Sequence, residues 1–230
     1  MKTEYELAGH LQGECLKQSP YGLSFNPIVA SEKNATVLHY ISNHQAIKKN
    51  SLILLDFGIR WHSVQTDISR TIPVNGTFNP LQALLYTIVL DTQKYVETHV
   101  KAGISLLDLN KLCWDYLNKE LDSKVKEKGG SYQLDYNEKP HFVGHRIGYQ
   151  VHDGDPFGDY RHDKLVDGTI ISNEPGLYGK FKLKLNNTLY SETIGIRIED
   201  NLKVTKSGCI NYSKHIPKEI SELENLINDT

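Results

Sequence analysis

Hydrophobic positions in this chain follow two periods, and the switches between them mark its elements. Over residues 3–18 apolar residues return at helical spacing, and "YGLSFNPIVASEKNATVLHY" (21–40) then alternates turn-forming residues with short β-type runs. The apolar run Leu52–Phe57 and the segment Thr66–Ile72 predict two antiparallel strands joined by a turn near Arg60–Ser63. Two helices have clear starts. In "NPLQALLYTIVLDTQKYVETHV" (79–100) Asn79 can cap and Pro80 takes the first helical position, and in "SLLDLNKLCWDYLNKEL" (105–121) Ser105 can cap. "KVKEKGGSYQLDYNEKP" (124–140) is a polar, glycine-containing connection. From His141 onward short strands are expected, and a helix over "PKEISELENLIN" (217–228) ends the pattern. No stretch has the composition of a linker, so residues 1–230 are expected to form one domain.

The predicted hairpin raises a question of charge. If its strands pair so that facing residues sum to 123, Asp56 stands opposite Asp67. Directly opposed Cβ atoms lie ~4.5–5.5 Å apart, and two carboxylates so placed repel unless a cation lies between them. In the alternative, the register differs and one aspartate is solvated or caps a turn. Further ionisable residues gather in apolar, glycine-rich segments: "HFVGHRIGYQVHDGD" (141–155), "ISNEPGLY" (171–178) and "IGIRIEDNLKV" (194–204). Taken singly, His141, Glu174 and Glu199 are explicable as a core histidine, a turn residue and a strand-end ion-pair partner. Burying such groups unpaired is costly, so together they make sense if they converge on cations or on one another. The order helix, strands, carboxylates occurs twice, ending in Asp56 and Asp67 and again in Glu174 and Glu199. That hints at two α/β halves facing each other, although no residue-level repeat is visible.

Composition narrows the class. The 230 residues carry 26 Lys+Arg against 28 Asp+Glu with no basic stripe interleaved with aromatics, which argues against nucleic acid as a partner. No apolar stretch approaches the ~18 residues of a membrane span, and "MKTEYELAGH" lacks the apolar core of a signal peptide. Cys15, Cys113 and Cys209 are far apart and odd in number, which predicts reduced thiols and a cytoplasmic protein.

The segments "HYISN", "LLDFG", "TDISRTIPVNG", "GHRIGYQVHD", "NEPGLY" and "GIRIED" together resemble the signature of the pita-bread metallopeptidases, in the branch of aminopeptidase P and prolidase. The match runs in order from about Glu4 to the last predicted helix. It implies an α+β pita-bread fold, with two α/β halves and a curved antiparallel sheet covered by helices. It also implies a dinuclear metal site with Asp56, Asp67, His145, Glu174 and Glu199 as ligands. In that family pattern Asp67 and Glu199 bridge, Asp56 serves one ion, and His145 and Glu174 serve the other. Four carboxylates and one imidazole suit two divalent ions such as Mn²⁺, with Co²⁺ or Zn²⁺ as alternatives, holding a hydroxide between them.

By the same resemblance, His39 and His152 lie beside the scissile carbonyl and His141 lines the pocket for the residue after it. Glu174 doubles as proton carrier, and Arg197 and Tyr178 support the substrate site. The implied activity is removal of the N-terminal residue from peptides with proline at position two. The alternatives are a prolidase-type dipeptidase and, from another class, a non-catalytic peptide- or protein-binding module. Such modules usually lack ligands that this chain retains. The family's separate N-terminal domain and the first helix of its catalytic domain have no counterpart in this sequence, and a homodimer is compatible with the resemblance.

Overall fold

The computed structural model describes residues 1–154 and 159–229. Thr3 and Glu6 cap the first helix, α1 (Glu4–Gln18), reciprocally, each side chain accepting from the other's backbone N–H. The chain then enters β1 (Ile28–Ser31), β2 (Leu52–Phe57), a ribbon of β3 (Arg60–Trp61) and β4 (Val64–Gln65), and β5 (Ile68–Pro73). Asn79 accepts from the N–H groups of Leu81 and Gln82 and starts α2 (Pro80–Glu97), with Pro80 at the first helical position as predicted. Ser105 likewise starts α3 (Leu106–Leu121). β6 (Ser131–Leu134), β7 (Ile170–Asn173), β8 (Gly176–Leu185), β9 (Thr188–Arg197), β10 (Asp200–Val204), β11 (Cys209–Asn211) and α4 (Ile220–Asn228) complete the order.

Antiparallel sheets β1-β2-β5, β6-β8-β9 and β7-β10-β11 carry the fold. The main core lies where α2 and α3 cover the sheets: Leu85, Ile88, Leu109 and Leu117 are fully buried against a cluster that includes Leu177, Phe181 and Ile196. A smaller cluster, with Ile28, Ala30, Tyr40, Leu54 and Tyr178, fills the space beneath β1 and β2. These apolar layers hold the two halves together along β5 and the end of β9. There the Thr71 hydroxyl donates to the Arg197 carbonyl and accepts from its N–H, both at 3.1 Å, and the Glu199 N–H donates to the Ser69 carbonyl at 3.1 Å.

Three expectations need correction. The β2/β5 register sums to 125, so Asp56 faces Ser69 and Asp67 precedes the first paired residue of β5. The cause is the turn: Arg60 pairs with Gln65 and Trp61 with Val64, which centres the hairpin on His62 and Ser63, with His62 in the left-handed region at φ 53°. A slip of two residues preserves the face, so the two aspartates become diagonal neighbours on one side of the sheet. The polar connection after α3 contains an edge strand, β6, whose residues are half-buried or exposed and so carry little apolar pattern. Residues 141–169 form isolated bridges rather than short strands among those described, and Asp155 lies outside the described residues. The strands that follow include two of ten residues, β8 and β9, closed by Asn186 and Asn187 at φ 49° and 65°.

Behind the seam, Arg70 of β5 is buried and donates to Asp200 Oδ1 at 2.7 Å and to the carbonyls of Ser69, Glu199, Ile216 and Pro217. Asp200 Oδ2 accepts from Gln93, Asn211 and Lys218. Burial opposes the Asp200 charge, but Arg70 and Lys218 outweigh it and hold its carboxyl down at about 2. Replacing Arg70 with Met leaves that charge buried without its guanidinium partner. Arg70→Met should lower the unfolding free energy by ~3–5 kcal/mol, measured as a shift of the denaturant midpoint.

Candidate metal centre

The predicted ligands converge. Atoms of Asp56, Asp67 and Glu199 lie within 4.8 Å of one another, as do atoms of His145, Glu174 and Glu199, and Asp67 also meets His145 and His152 within that distance. Glu199 therefore belongs to two of the groups, and Asp67 links the carboxylate side to the imidazole side. Asp56 leaves β2, Asp67 leads into β5, Glu174 follows β7 and Glu199 lies between β9 and β10. His145 comes from residues 141–154, which hold neither helix nor strand beyond isolated bridges. Its neighbour Gly144 lies so close to β7 that a Cβ there would meet the Ser172 carbonyl oxygen at 2.1 Å. That approach lets the N–H groups of Ser172 and Glu174 donate to the carbonyls of His145 and Val143.

A wall of hydrogen bonds fixes the rear of the cluster. Arg197, 4 % exposed, donates from Nη2 to Asp56 Oδ2 at 2.6 Å, from Nε to Ser69 Oγ at 2.8 Å and from Nη1 to the Tyr178 hydroxyl at 3.1 Å. Ser69 passes its own proton toward Glu199 Oε2 at 2.8 Å. Asn201 grips the Asp67 backbone in both directions, accepting from its N–H and donating to its carbonyl. Ser172 donates to Glu174 Oε1 and accepts from the His145 N–H. What these bonds leave over is informative: Asp56 Oδ1, Asp67 Oδ1 and Glu199 Oε1 are buried with no hydrogen-bond partner among the described residues.

Tautomers sharpen the picture. His145 Nδ1 lies 3.1 Å from the Arg146 carbonyl, which can only accept, so Nδ1 carries a proton. Nε2 is thereby left for other partners, and it faces Asp67 Oδ2 and Glu174 Oε1, each at 3.3 Å. Facing two carboxylates, that nitrogen needs either a proton or a metal ion between itself and them. Were all four carboxylates ionised against one guanidinium, the cluster would carry an excess of three negative charges. Burial first, then the charges of Asp56 and Glu174, push the Asp67 carboxyl up to about 9, and burial with Asp67, Glu174 and Asp56 pushes Glu199 well above the usual range. Burial also opposes Glu174, yet His145, His141 and Arg197 prevail and hold it below its ordinary value. The donor set, the three orphaned oxygens and the inward-facing His145 Nε2 fit divalent cations.

His141 has a different task. Its Nδ1 donates to the Phe142 carbonyl at 2.7 Å, and its Nε2 lies 3.1 Å from the Tyr178 hydroxyl, so both ring nitrogens are committed inside the protein. Burial pushes its pKa down, and the ring packs edge-on against Trp114 and Tyr178. Burial with the nearby His145 likewise depresses His152, whose ring meets His145 edge-to-face at 4.3 Å. His39 is exposed and lines two cavities of about 560 and 430 Å³ that also share Asp56, Asp67 and His152. Ser69, Asn201 and Ser172 were not singled out in the sequence. Of these, only Ser69 had a signal, standing two residues after Asp67 on the same strand face.

Comparison with known proteins agrees with this geometry. Residues 1–206 match the model of metallopeptidase family M24. The mitochondrial intermediate cleaving peptidase 55 of Arabidopsis thaliana is 33 % identical over 223 residues, which are 97 % of this chain and 44 % of that protein. The Xaa-Pro aminopeptidase of Haemophilus influenzae is 32 % identical over 237 residues, 99 % of this chain and 54 % of the relative. Aminopeptidase P from Escherichia coli, solved with the inhibitor Pro-Leu, superposes with a TM-score of 0.84 at 28 % identity, covering 99 % of this chain and 53 % of that one. The chain thus spans about half the length of these relatives. Its architecture is the pita-bread fold of aminopeptidase P, and a matching family model, near-complete coverage by relatives and the convergence of its acidic and imidazole groups together make it a member of metallopeptidase family M24.

Proposed function

We propose that the chain is a single catalytic domain that removes the N-terminal residue from peptides with proline at position two. In this reading Asp56, Asp67, His145, Glu174 and Glu199 hold two divalent ions, Asp67 and Glu199 being shared. The observation that carries it is His145 Nε2 facing two carboxylates, its Nδ1 committed to a carbonyl, beside three partnerless carboxylate oxygens. A largely oxygen donor set favours Mn²⁺. The relatives named Xaa-Pro aminopeptidase support exopeptidase action over the dipeptidase alternative. Three unpaired cysteines accord with a reducing, cytoplasmic setting, and no helix among the described residues is long and apolar enough to cross a membrane.

Two cations bound there would acidify a water molecule and polarise the scissile carbonyl. Glu174, held by Ser172 at Oε1, keeps Oε2 free of strong bonds and takes the proton from the attacking water, then returns it to the leaving nitrogen. His152, kept neutral by its surroundings, and His39 donate N–H to the developing oxyanion. A nitrogen in a proline ring has no N–H to read, so selection must rest on ring shape. His141, its nitrogens already committed, offers a ring edge to that pocket, and Tyr178 and Arg197 hold it there.

Four outcomes test this reading. Asp67→Asn should weaken both metal sites together, whereas Asp56→Asn should empty mainly one, as read by metal content of the purified variants. Glu174→Gln should retain the fold and lose ~10²- to 10⁴-fold in turnover; a loss under about tenfold in fully loaded protein moves the proton role elsewhere. Exchanging proline for alanine at position two should cut kcat/KM far more than varying the first residue among Ala, Leu and Met, and equal rates on the two peptides reject proline selection.

The fourth outcome concerns pH. Asp67 and Glu199 bind protons in the metal-free folded chain that the unfolded chain releases above ~4, so their contribution is complete below that pH and is lost as pH rises, that of Asp67 toward about 9. The depressed Glu174 acts in the opposite sense, but only as pH falls below the ordinary carboxylate range. With chelator present, unfolding free energy should therefore decline over that window, and saturating Mn²⁺ should abolish or reverse the slope. Identical slopes with and without metal count against a metal site in this cluster.

A further inference from the structure

Glu4, in the first turn of α1, is fully buried, and both of its oxygens are taken by neutral donors. Oε1 accepts from the Ser31 N–H at 2.8 Å, the Ser31 hydroxyl at 2.7 Å and Asn34 Nδ2 at 3.0 Å. Oε2 accepts from the Tyr40 hydroxyl at 2.8 Å and the Gln45 N–H at 2.9 Å. No cation pairs with it among the described residues. These donors flank one stretch of chain, and His39 lies between them.

That stretch needs such an anchor. Residues 37–45 form neither helix nor strand, and the exposed His39 ring makes no hydrogen bond among the described residues. Its position is therefore set by its backbone, and the neighbouring Tyr40 is 8 % exposed, fixed by the small apolar cluster and by Glu4. Each Glu4 oxygen accepts one backbone N–H, from Ser31 on one side and Gln45 on the other. An amide in place of the carboxylate would turn its NH₂ toward one of those N–H groups in either orientation, and neither backbone donor can rotate away.

We propose that Glu4 is a positioning residue for the hydrolytic site: from behind β1 it holds His39 in the substrate cavity through Tyr40 and Gln45. The proposal rests on the peptidase reading above. Its test uses the full, metal-loaded chain with Glu4→Gln and Tyr40→Phe, each alone and combined with His39→Ala, on one Xaa-Pro peptide. Either single change should lower kcat ~10-fold by misplacing one donor, while KM stays within ~2-fold and metal content is unchanged. In the His39→Ala background the same changes should add less than ~2-fold. Equal losses in both backgrounds, or losses that track missing metal, overturn it.

A second readout separates this proposal from the peptidase reading. Histidine ring resonances in wild type, with His39 assigned from its absence in His39→Ala, should move or broaden in Glu4→Gln while those of His62 and His215 stay. If no Xaa-Pro peptide is cleaved by wild type, the peptidase reading fails. An unmoved His39 resonance rejects the positioning role in either case.

Discussion

Repulsion among carboxylates gathered out of water shapes this molecule more than any other interaction. Asp56, Asp67 and Glu199 are nearly inaccessible, Glu174 is close by, and one guanidinium stands against them. Such a cluster can persist only if strong packing holds its members in place and protons or cations relieve the excess charge. The packing comes from α2 and α3 on the sheets, and from the seam of β5 with the end of β9. Arg197 and Ser69 bind one oxygen each of Asp56 and Glu199, which turns the other oxygens inward. The bonds that rigidify the rear of the site thereby select which atoms remain for a metal.

Two histidines four residues apart show how local partners divide labour. His145 spends Nδ1 on a backbone carbonyl and leaves Nε2 facing carboxylates. His141 spends both nitrogens, on Phe142 and Tyr178. The first suits coordination and the second suits a wall. Neither residue's chemistry is intrinsic to imidazole; each follows from the acceptor that occupies the other nitrogen.

The buried polar networks form a second tier. Arg70 and Asp200 hold the chain around Glu199 from behind, tying in Lys218 near the C-terminal helix, while Glu4 braces the His39 segment from the N-terminal helix. Both networks join parts distant in sequence to a strand end or loop that reaches the site. Each is almost fully satisfied internally, as ionised groups away from water must be.

The sequence alone determined those features whose causes lie within a few residues. Asn79 with Pro80 and Ser105 start helices because capping groups reach only two or three residues along the chain. Asp56 and Asp67 share a sheet face because that depends on parity, which survived the two-residue error in register. The motif resemblance brought together ligands that no local rule connects. Tertiary structure decided the register itself, through the His62–Ser63 turn; the edge strand β6, which pairs with β8 without an apolar pattern; and the irregular stretch around His145, held by close approach at Gly144. It also decided the partners. Arg197 meets Asp56 across 141 residues and Ser69 meets Glu199 across 130, contacts that exist only after two sheets have packed. Local propensity carries no information about such encounters, because the energy that fixes them comes from burial and pairing between strands far apart in the chain.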